Sequence, residues 1–315
     1  MKAKYFEIFS LLLFLAGCKQ NVLRAQTINK TTTTESVSIV SWNLQTFFDA
    51  NKDGIEYSEF LQSPNWTEQA YKARIKRLCE ALKLIDADVY VFQEIENEGV
   101  LYDISNVLNV MDWNRKRKWN YACFGKTEGH AIGCAVLSRW ELSDFTLNSL
   151  LVNTEEQNMP ALRPILKVNV NVNQNSFVLL VNHWKSKSGG DIETEVWRDW
   201  QERQLLLLVQ SLDVPCIVCA GDFNRDYSEF AYLTTKGICP WMSEAGTLVK
   251  PGSYYYKGEF ERIDNFFVFG NCSICDFEPL TGGPWCNDSN IPIPFKIYSG
   301  SGYSDHLPVK CVIGF

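Results

Sequence analysis

The 315-residue chain is short of histidine and has no excess of basic residues. It contains 3 histidines, and 30 lysines and arginines face 37 aspartates and glutamates, which gives a formal charge of -7. Broad, sequence-independent binding to nucleic acid depends on basic side chains, so this balance disfavours it. A catalytic cleft needs positive charge only locally, and the balance therefore does not exclude enzymes that act on anionic substrates.

The chain also lacks several familiar patterns. It has no internal repeat, no GxxxxGKS/T phosphate-binding loop and no GxGxxG dinucleotide fingerprint. These absences exclude the commonest nucleotide-cofactor sites. An apolar stretch at residues 8–15 is too short to span a bilayer, which takes about 20 residues.

The first residues have the pattern of a secretory signal. Lys2 and Lys4 precede the apolar stretch, which ends in LAGC at residues 15–18. A basic start, a short apolar core and small residues are typical of a cleaved signal peptide. LAGC also resembles the bacterial lipobox, in which Cys18 is acylated. We therefore predict a lipid anchor in the bacterial cell envelope, at the periplasmic face of the outer membrane or at the cell surface. An ordinary signal peptide or a buried first helix is the alternative.

Three segments follow from this pattern. Residues 1–17 are predicted to be a lipoprotein signal peptide, and residues 18–36 a flexible tether that begins at the lipidated cysteine. Residues 37–315 are predicted to form one folded domain. The tether ends in TTTTES and is poor in apolar residues, so it cannot bury a core of its own.

Besides Cys18, ten of the 11 cysteines remain, an even number in a chain bound for an oxidising compartment. Disulfides are expected, but the sequence does not determine their pairing. CxxC pairs at residues 216–219 and 272–275 superficially resemble zinc knuckles. The first pair falls in an apolar run typical of a buried strand, where neighbouring side chains point to opposite faces. A zinc site is therefore not predicted.

Short apolar runs alternate with helical patterns over the rest of the chain. Helices are predicted at residues 71–85 and 193–212. Strands are predicted at residues 37–44, 88–95, 131–137, 165–172, 177–182, 216–220, 263–269 and 308–313. This mixture over the whole length predicts a single α/β sandwich.

Polar side chains are predicted at the carboxyl ends of several strands, where α/β sheets commonly place their sites. The residues are Asn43, Glu94, Asn182 with His183, Asp222 with Asn224, Asp264, and Asp305 with His306. A buried strand that ends in a carboxylate is costly unless the group meets a cation or hydrogen-bond donors. Two of the three histidines are in this set, and histidine serves as acid and base near neutral pH. The repeated pattern indicates a catalytic site.

Five short motifs add a more specific resemblance. They are VSWNL at 40–44, VFQE at 91–94, GDFN at 221–224, RID at 262–264 and SDHLPV at 304–309. In this order and spacing they resemble the motifs of the endonuclease/exonuclease/phosphatase superfamily, which includes deoxyribonuclease I, apurinic endonucleases, sphingomyelinases and inositol-polyphosphate phosphatases. The resemblance covers nearly all of residues 37–315. It implies a four-layer sandwich, in which two mixed β-sheets pack face to face with helices outside.

The resemblance implies a divalent-metal site. Glu94 would be the main ligand, with Asn43 beside it, and Asp305 would hold a second ion or bind phosphate. Mg²⁺ is the expected metal, with Mn²⁺ or Ca²⁺ as alternatives, because hard cations prefer carboxylate and amide oxygens. Gln45 departs from the pattern, since several family members carry an aspartate there, and this leaves a second metal contact open.

The resemblance also implies the catalytic groups. Asp222 and Asn224 would orient the attacking water and the scissile phosphate. His306 would be the general base, held in its tautomer by Asp264, and His183 would be the general acid. Apurinic endonucleases have a tyrosine at the position of this acid, so the chain resembles the deoxyribonuclease I branch more closely.

Substrate-binding residues are predicted next to these groups. Arg163 stands where the family often keeps a phosphate-binding arginine, and Asn182 and Lys185 flank the proposed acid. Trp184 and the tyrosines at residues 254–256 are candidates for stacking on bases, although aromatic residues on strands more often belong to the core.

A monomeric, metal-dependent phosphodiesterase that acts on DNA or mixed nucleic acid is the predicted function. Sphingomyelin and other phospholipid head groups are the second candidate substrate, and inositol phosphates the third. A non-catalytic surface-binding protein on the same fold is a different class, since fold alone does not fix function. Metal-dependent turnover would separate that class from the enzymes.

Residues 49–54, with the sequence DANKDG, resemble the first half of an EF-hand calcium loop. Such a loop ends in a bidentate glutamate at position twelve, and here that position is Phe60. A polar surface loop is therefore predicted.

Overall fold

The structure, a computed structural model, describes residues 35–150, 162–242 and 251–315. The predicted signal peptide, Cys18 and nearly all of the predicted tether lie outside the described residues. Within these ranges, no helix is long and apolar enough to cross a membrane.

The described residues form strands and helices along their whole length. The strands are β1 (Ser36–Phe47), β2 (Val89–Ile95), β3 (Tyr121–Gly125), β4 (Gly133–Ser138), β5 (Glu141–Asn148), β6 (Ile165–Val172), β7 (Asn175–His183), β8 (Cys216–Asp222), β9 (Tyr254–Tyr256), β10 (Glu259–Glu261), β11 (Asp264–Gly270), β12 (Ser273–Pro279) and β13 (Val309–Gly314). The α-helices are α1 (Ser58–Gln62), α2 (Glu68–Ile85), α3 (Glu98–Met111) and α4 (Asp191–Ser211). Single 3-10 turns lie at Tyr227–Glu229, Leu233–Thr235 and Pro240–Met242.

The larger strands form two mixed sheets. The first has the order β12-β13-β1-β2-β4-β3, and the second has the order β11-β8-β7-β6-β5. Strands β1 and β2 run parallel, as do β7 and β8, and the other neighbours in both sheets are antiparallel. A separate hairpin pairs β9 with β10. The predicted fold class, an α/β sandwich of two mixed sheets, is confirmed.

Alternation along the strands divides the apolar side chains between two cores. Ile39 and Val91 of the first sheet join Leu180 of the second sheet in one buried cluster. Their neighbours Val40 and Tyr90 face the other way, into a cluster with the apolar sides of α2 and α3. Because side chains on a strand alternate between its faces, each of these strands stabilises two layers at once.

Helix α4 covers the second sheet, but the face that it buries is partly polar. Val196, one of the apolar residues that indicated the helix, is 58% exposed, whereas Arg198 and Glu202 are fully buried. The Glu202 carboxylate accepts hydrogen bonds from the Arg225 side chain (2.6 Å) and from the backbone N–H of Leu233 (2.8 Å). This face therefore holds the segment that follows β8, in addition to packing on the sheet.

Five strands were not predicted from the sequence: β9 and β10 form the separate hairpin, and β3, β5 and β12 lie at sheet edges. Strand β5 shows the reason, since most of its residues are exposed or only half-buried. An edge strand contacts one neighbour and buries fewer side chains, so its apolar pattern is weaker. Helices α1 and α3 were also not predicted.

A disulfide joins Cys216, at the start of β8, to Cys272, just before β12. These are the first cysteines of the two CxxC pairs, and their partners are separated as well, because Cys219 is buried and Cys275 is exposed. The two CxxC pairs therefore do not form zinc knuckles.

We expect Cys216→Ala combined with Cys272→Ala to lower the free energy of unfolding by about 2–4 kcal/mol, because the bond closes a long loop in the unfolded chain. The bridged cysteines are 56 residues apart. Urea unfolding measures the change. Cys275→Ala, which removes an exposed free thiol, is the control and should cost less than about 0.5 kcal/mol. A double variant as stable as the control would contradict the prediction.

Candidate active site

Two parallel strand pairs bring four predicted site residues to one edge of the sandwich. Asn43 near the end of β1 lies beside the end of β2, which carries Glu94. In the second sheet, His183 ends β7 and lies opposite Asp222, which ends β8. The carboxyl ends of parallel neighbours coincide, so these residues meet although they are distant in sequence.

Asp264 and His306 reach the same edge from the opposite direction. Asp264 begins β11 and lies opposite Asp222 in an antiparallel pair, and His306 precedes β13, which is antiparallel to β1. The sequence pattern had placed both at the carboxyl ends of strands, which is wrong. They stand at amino ends, because an antiparallel strand begins at the edge where its neighbour ends.

Asn43 lies at the centre of the site. Its Nδ2 donates to Oε1 of Glu94 (3.2 Å) and to Oδ2 of Asp222 (3.0 Å). The backbone N–H of Thr46 donates to the other Glu94 oxygen (2.6 Å). His183 completes the group, with its Nε2 at 3.7 Å from both Glu94 Oε1 and Asp222 Oδ2.

His306 is held by carboxylates. Its Nδ1 lies 2.8 Å from Oδ2 of Asp264, and its Nε2 lies 4.0 Å from Oδ2 of Asp222. Burial by itself lowers the pKa of His306. The charge and hydrogen bond of Asp264, with the charges of Asp222 and Asp305, outweigh burial and raise this pKa well above 6.5. The carboxylates around His306 therefore favour its protonated form.

His183 has the opposite electrostatic state. Burial lowers its pKa well below 6.5, and the positive charges of Arg163 and His306 lower it further. Its Nδ1 is buried and has no hydrogen-bond partner in the described part of the chain. These surroundings favour a neutral His183 and a protonated His306, whereas the predicted acid and base need the reverse. A bound cation would lower the pKa of His306, and an anionic phosphate would raise that of His183.

The site fits a divalent cation. Burial raises the pKa of the Asp222 carboxyl to about 7; the charge of His306 opposes this shift and that of Asp264 adds to it. Asp222 and Glu94 share one neutral amide donor, so nothing in this contact balances their charge. Carboxylate oxygens are the ligands that Mg²⁺ prefers, and Glu94, whose side chain is 18% exposed, is the accessible one of the two.

The other two predicted metal ligands are placed differently. The Oδ1 of Asn43 accepts from the backbone N–H of Gln45 (2.9 Å), so its NH₂ group faces the carboxylates, and ligation by its oxygen requires the amide to rotate. Asp305 does not take part in the contacts around Asn43; its Oδ1 lies 3.5 Å from Ser304 Oγ, and its charge acts on His306. These roles stay predictions.

The side chain of Gln45 is engaged elsewhere. Its Oε1 accepts from the backbone N–H of Phe295 (2.7 Å), and its Nε2 donates to the carbonyl of the same residue (3.4 Å). The residue that departs from the family pattern therefore joins β1 to the segment before His306.

Arg74 of α2 supports the candidate metal site through the backbone of β1. The sequence analysis did not identify this residue. Its buried guanidinium donates to the carbonyls of Leu44, Gln45 and Thr46 (2.7–3.0 Å) and lies 3.6 Å over the ring of Phe295. Gln45 and Thr46 have left-handed φ values of 50° and 51°, a strained conformation outside glycine. Arg74 holds this bulge in the position from which Thr46 reaches the metal site. The sequence does contain a signal for Arg74, since it is a basic residue within the apolar face of a predicted helix.

Arg163 and Asn224 both contact the segment that follows β7. The guanidinium of Arg163 donates to the carbonyl of Trp184 (2.9 Å), and Nδ2 of Asn224 donates to the same carbonyl (3.2 Å). Burial raises the pKa of Tyr57, a residue that the sequence did not single out, and the positive charge of Arg163 opposes this rise. Lys185 lies nearby and is half-buried. The positive charge of Arg163 acts on His183. The substrate-binding roles of Arg163 and Lys185 and the catalytic role of Asn224 stay predictions.

Two other predicted contacts do not face the cleft. Asn182 is fully buried; it donates to the carbonyl of Leu180 (2.9 Å) and accepts from Nε1 of Trp184 (3.0 Å). Trp184 is 1% exposed and packs against Phe223 and Phe230. Substrate binding by Asn182 and base stacking by Trp184 were therefore wrong. The strand places both side chains in the protein interior, where they support His183.

The tyrosines of β9 lie next to the base candidate. The ring of Tyr254 packs 4.8 Å from His306 and is stacked on Tyr256 at 6.2 Å with an interplanar angle of 20°. Tyr256 is 50% exposed. A series of packed aromatic rings therefore runs from His306 to the surface.

The EF-hand-like loop has an acidic cluster of a different kind. Oxygens of Asp53, Glu56 and Glu96 all lie within 4.8 Å of one another, so the cluster can hold a metal ion. Burial, above all, raises the pKa of Glu96 to about 7. Phe60, at the position of the missing EF-hand glutamate, is buried in α1. The carboxylate that reaches the loop comes from the end of β2 instead.

The model of the endonuclease/exonuclease/phosphatase family matches residues 40–306. The chain belongs to this family. None of the curated proteins compared with the chain matches it in sequence. Proteins of this family have a phosphodiesterase fold. The residues around Asn43 lie within the range that the family model matches.

Several solved structures share the fold at low sequence identity. TDP2 from Caenorhabditis elegans has a TM-score of 0.59 at 14% identity, over 89% of this chain and 75% of that one. D. rerio TDP2 complexed with single strand DNA product has a TM-score of 0.56 at 15% identity, over 89% of this chain and 99% of that one. An endonuclease/exonuclease/phosphatase from Bacteroides vulgatus has a TM-score of 0.56 at 16% identity, over 89% and 98%. The likeness is one of fold.

We expect two histidines of the chelator-treated protein to titrate far apart, His306 well above pH 6.5 and His183 well below it. The raised pKa of His306 stabilises the fold below pH 6.5, and this contribution is lost as the pH rises through the folded pKa. The lowered pKa of His183 destabilises the fold as the pH falls below 6.5. NMR titration of the imidazole carbons measures both values.

Asp264→Asn should lower the pKa of His306, because it removes the charge held at Nδ1, and should leave His183 neutral at pH 7. His306→Gln and His183→Gln assign the signals. An unchanged His306 midpoint in Asp264→Asn would contradict the electrostatic account.

Proposed function

We propose that this member of the family is a metal-dependent phosphodiesterase that hydrolyses DNA, with RNA as the alternative substrate. The observation that carries the proposal is the position of the two histidines. The Nε2 atoms of His183 and His306 lie 3.7 Å and 4.0 Å from the same Asp222 oxygen. Two proton-transfer groups around one carboxylate suit a reaction in which one oxygen attacks phosphorus and another leaves.

The side chains divide the work of hydrolysis. His306, oriented by Asp264, accepts the proton of the attacking water at Nε2, and Asp222 with Asn224 orients that water against the phosphorus. His183 gives a proton to the leaving oxygen. A divalent cation at Glu94 would neutralise charge on a non-bridging oxygen of the phosphate.

A polynucleotide is favoured by the surroundings of the site. Tyr256 presents half of its surface at the end of the series of rings from His306, and aromatic side chains stack on bases without regard to sequence. Arg163 adds a positive charge near His183, as contacts with a phosphate backbone require. The DNA product in the D. rerio TDP2 structure agrees with this choice.

We also propose that the protein is a monomer held in the bacterial envelope through acylated Cys18. The basic start, the short apolar core and LAGC at residues 15–18 support this location. The Cys216–Cys272 disulfide supports an oxidising compartment.

Supercoiled plasmid DNA incubated with the purified protein and Mg²⁺ tests the activity. Nicking should stop when chelator removes the metal. Glu94→Gln, His183→Ala and His306→Ala should each lower the rate at least about 100-fold, since each removes a catalytic group. Glu80→Gln, which changes an exposed carboxylate on α2, is the control and should keep the wild-type rate.

Absence of nicking by folded protein, with Mn²⁺ and Ca²⁺ also supplied, would contradict a DNA nuclease. Cleavage of RNA, sphingomyelin or inositol phosphates in the same assay would then identify the substrate class. If all of these stay intact, the chain is a non-catalytic member of the family.

A further inference from the structure

A basic segment lies at the end of the sandwich opposite the active site. Residues 115–118 read RKRK and precede β3, whose first residue pairs with Ser138 at the far end of β4. At its other end, β4 pairs Cys134 with Gln93 of β2, which is next to Glu94 in the candidate active site. Strand β7 spans the distance in the second sheet, since Asn175 and His183 are eight residues apart, about 26 Å on an extended strand. We call the end with residues 113–118 the basal pole.

Only part of the positive charge at the basal pole is neutralised. Arg115 pairs with Asp86 (2.6 Å), and Lys118 donates to carbonyls at the end of α3, such as that of Asp112 (2.7 Å). Lys116 and Arg117 are exposed. Among the described residues, neither of them forms an ion pair with an acidic side chain. Two positive charges are therefore available at the surface of a chain that is acidic overall.

Arg117 is fixed in place. Its guanidinium lies 3.5 Å over the ring of Trp140 and donates to Oδ1 of Asn173 (3.2 Å). It borders a polar hollow of about 420 Å³, which Lys116 and Lys118 also line. A pre-positioned guanidinium beside a free ammonium group is suited to phosphate.

Exposed apolar side chains accompany this charge. Trp113 is 78% exposed, directly before the basic segment, and Val110 and Leu84 are 75% and 65% exposed. Lys83 donates to the carbonyl of Met111, which joins the end of α2 to the end of α3. Tryptophan favours the boundary between apolar and polar surroundings, as at the surface of a bilayer. Exposed tryptophan beside free basic residues indicates a lipid surface more than a protein partner.

The N-terminal segment reaches the folded domain at the same pole. The carboxylate of Glu35 accepts hydrogen bonds from Asn173 and Asn175 at the β6–β7 turn, and Arg117 donates to the first of these. Glu35, the first residue that the structure describes, therefore lies beside the basic segment. A lipid anchor at Cys18, as proposed above, would be joined to the domain at the end that carries Lys116 and Trp113.

We propose that the basal pole docks on an anionic lipid surface. Lys116 and Arg117 contact phosphate head groups, Trp113 enters the interfacial layer, and the active site faces away from the membrane. Basic residues close to an anionic surface and an interfacial aromatic anchor supply the attraction. Lipid is favoured over nucleic acid at this pole, because the aliphatic side chains of Val110 and Leu84 are exposed beside Trp113 and have no partner in a phosphate backbone. The proposal holds for any substrate of the enzyme.

The full chain with Cys18→Ala, which cannot be acylated, tests the proposal in vesicle co-sedimentation. It should bind vesicles of phosphatidylcholine and phosphatidylglycerol more tightly than vesicles of phosphatidylcholine alone. Lys116→Gln with Arg117→Gln should weaken binding to the anionic vesicles about thirty-fold, since each basic residue near such a surface contributes about a factor of five. Lys72→Gln with Lys76→Gln removes two exposed charges from α2 and should change nothing.

A second measurement tests how the protein is oriented on the vesicle surface. Brominated phosphatidylglycerol should quench the tryptophan fluorescence of this chain, and Trp113→Phe should abolish most of the quenching, because Trp113 is the most exposed tryptophan in the described residues. Equal binding of both double variants, or undiminished quenching in Trp113→Phe, would overturn the proposal. So would weaker DNA binding by Lys116→Gln with Arg117→Gln and unchanged vesicle binding. Nuclease activity is measured separately, so its absence leaves this test intact.

Discussion

The candidate site depends on one contact, in which the amide group of Asn43 donates hydrogen bonds to two carboxylates, those of Glu94 and Asp222. Asn43 belongs to the first sheet with Glu94, and Asp222 belongs to the second, so the Asn43 amide joins the catalytic ends of both sheets. The hydrogen-bond donors on these carboxylates, from Asn43, Thr46 and Asn224, are neutral, and two buried or half-buried acidic groups held by neutral donors are suited to a bound cation. The left-handed bulge of β1 brings Thr46 to Glu94, and the buried Arg74 stabilises that bulge.

The two histidines differ because only one of them has a carboxylate partner for its second nitrogen. His306 has Asp264 at Nδ1, whereas Nδ1 of His183 has no partner in the described residues. Two chemically identical groups with pKa values moved in opposite directions are suited to opposite proton transfers. Bound metal and phosphate would act on both pKa values, so the catalytic assignment depends on the loaded site.

The two ends of the sandwich, the edge with the candidate site and the basal pole, differ in their chemistry. Strand ends from both sheets converge on the catalytic edge, where polar groups are buried and strained backbone is tolerated. The basal pole has free positive charge, exposed apolar side chains and the entry of the N-terminal segment. If the basal pole docks on a membrane as proposed, the candidate site at the other end stays accessible to large substrates.

The motifs and the buried strands were readable from sequence, because a strand that is apolar on both faces and ends in a carboxylate has few structural explanations. Glu94, His183 and Asp222 stand at such strand ends, whereas Asp264 and His306 were identified through the motifs that resemble the family, and the structure brings the five together. The edge strands, Arg74, the pairing of Cys216 with Cys272 and the burial of Asn182 and Trp184 required the tertiary structure. Each of these depends on which neighbour a residue meets across the fold, and local pattern carries no information about partners distant in sequence.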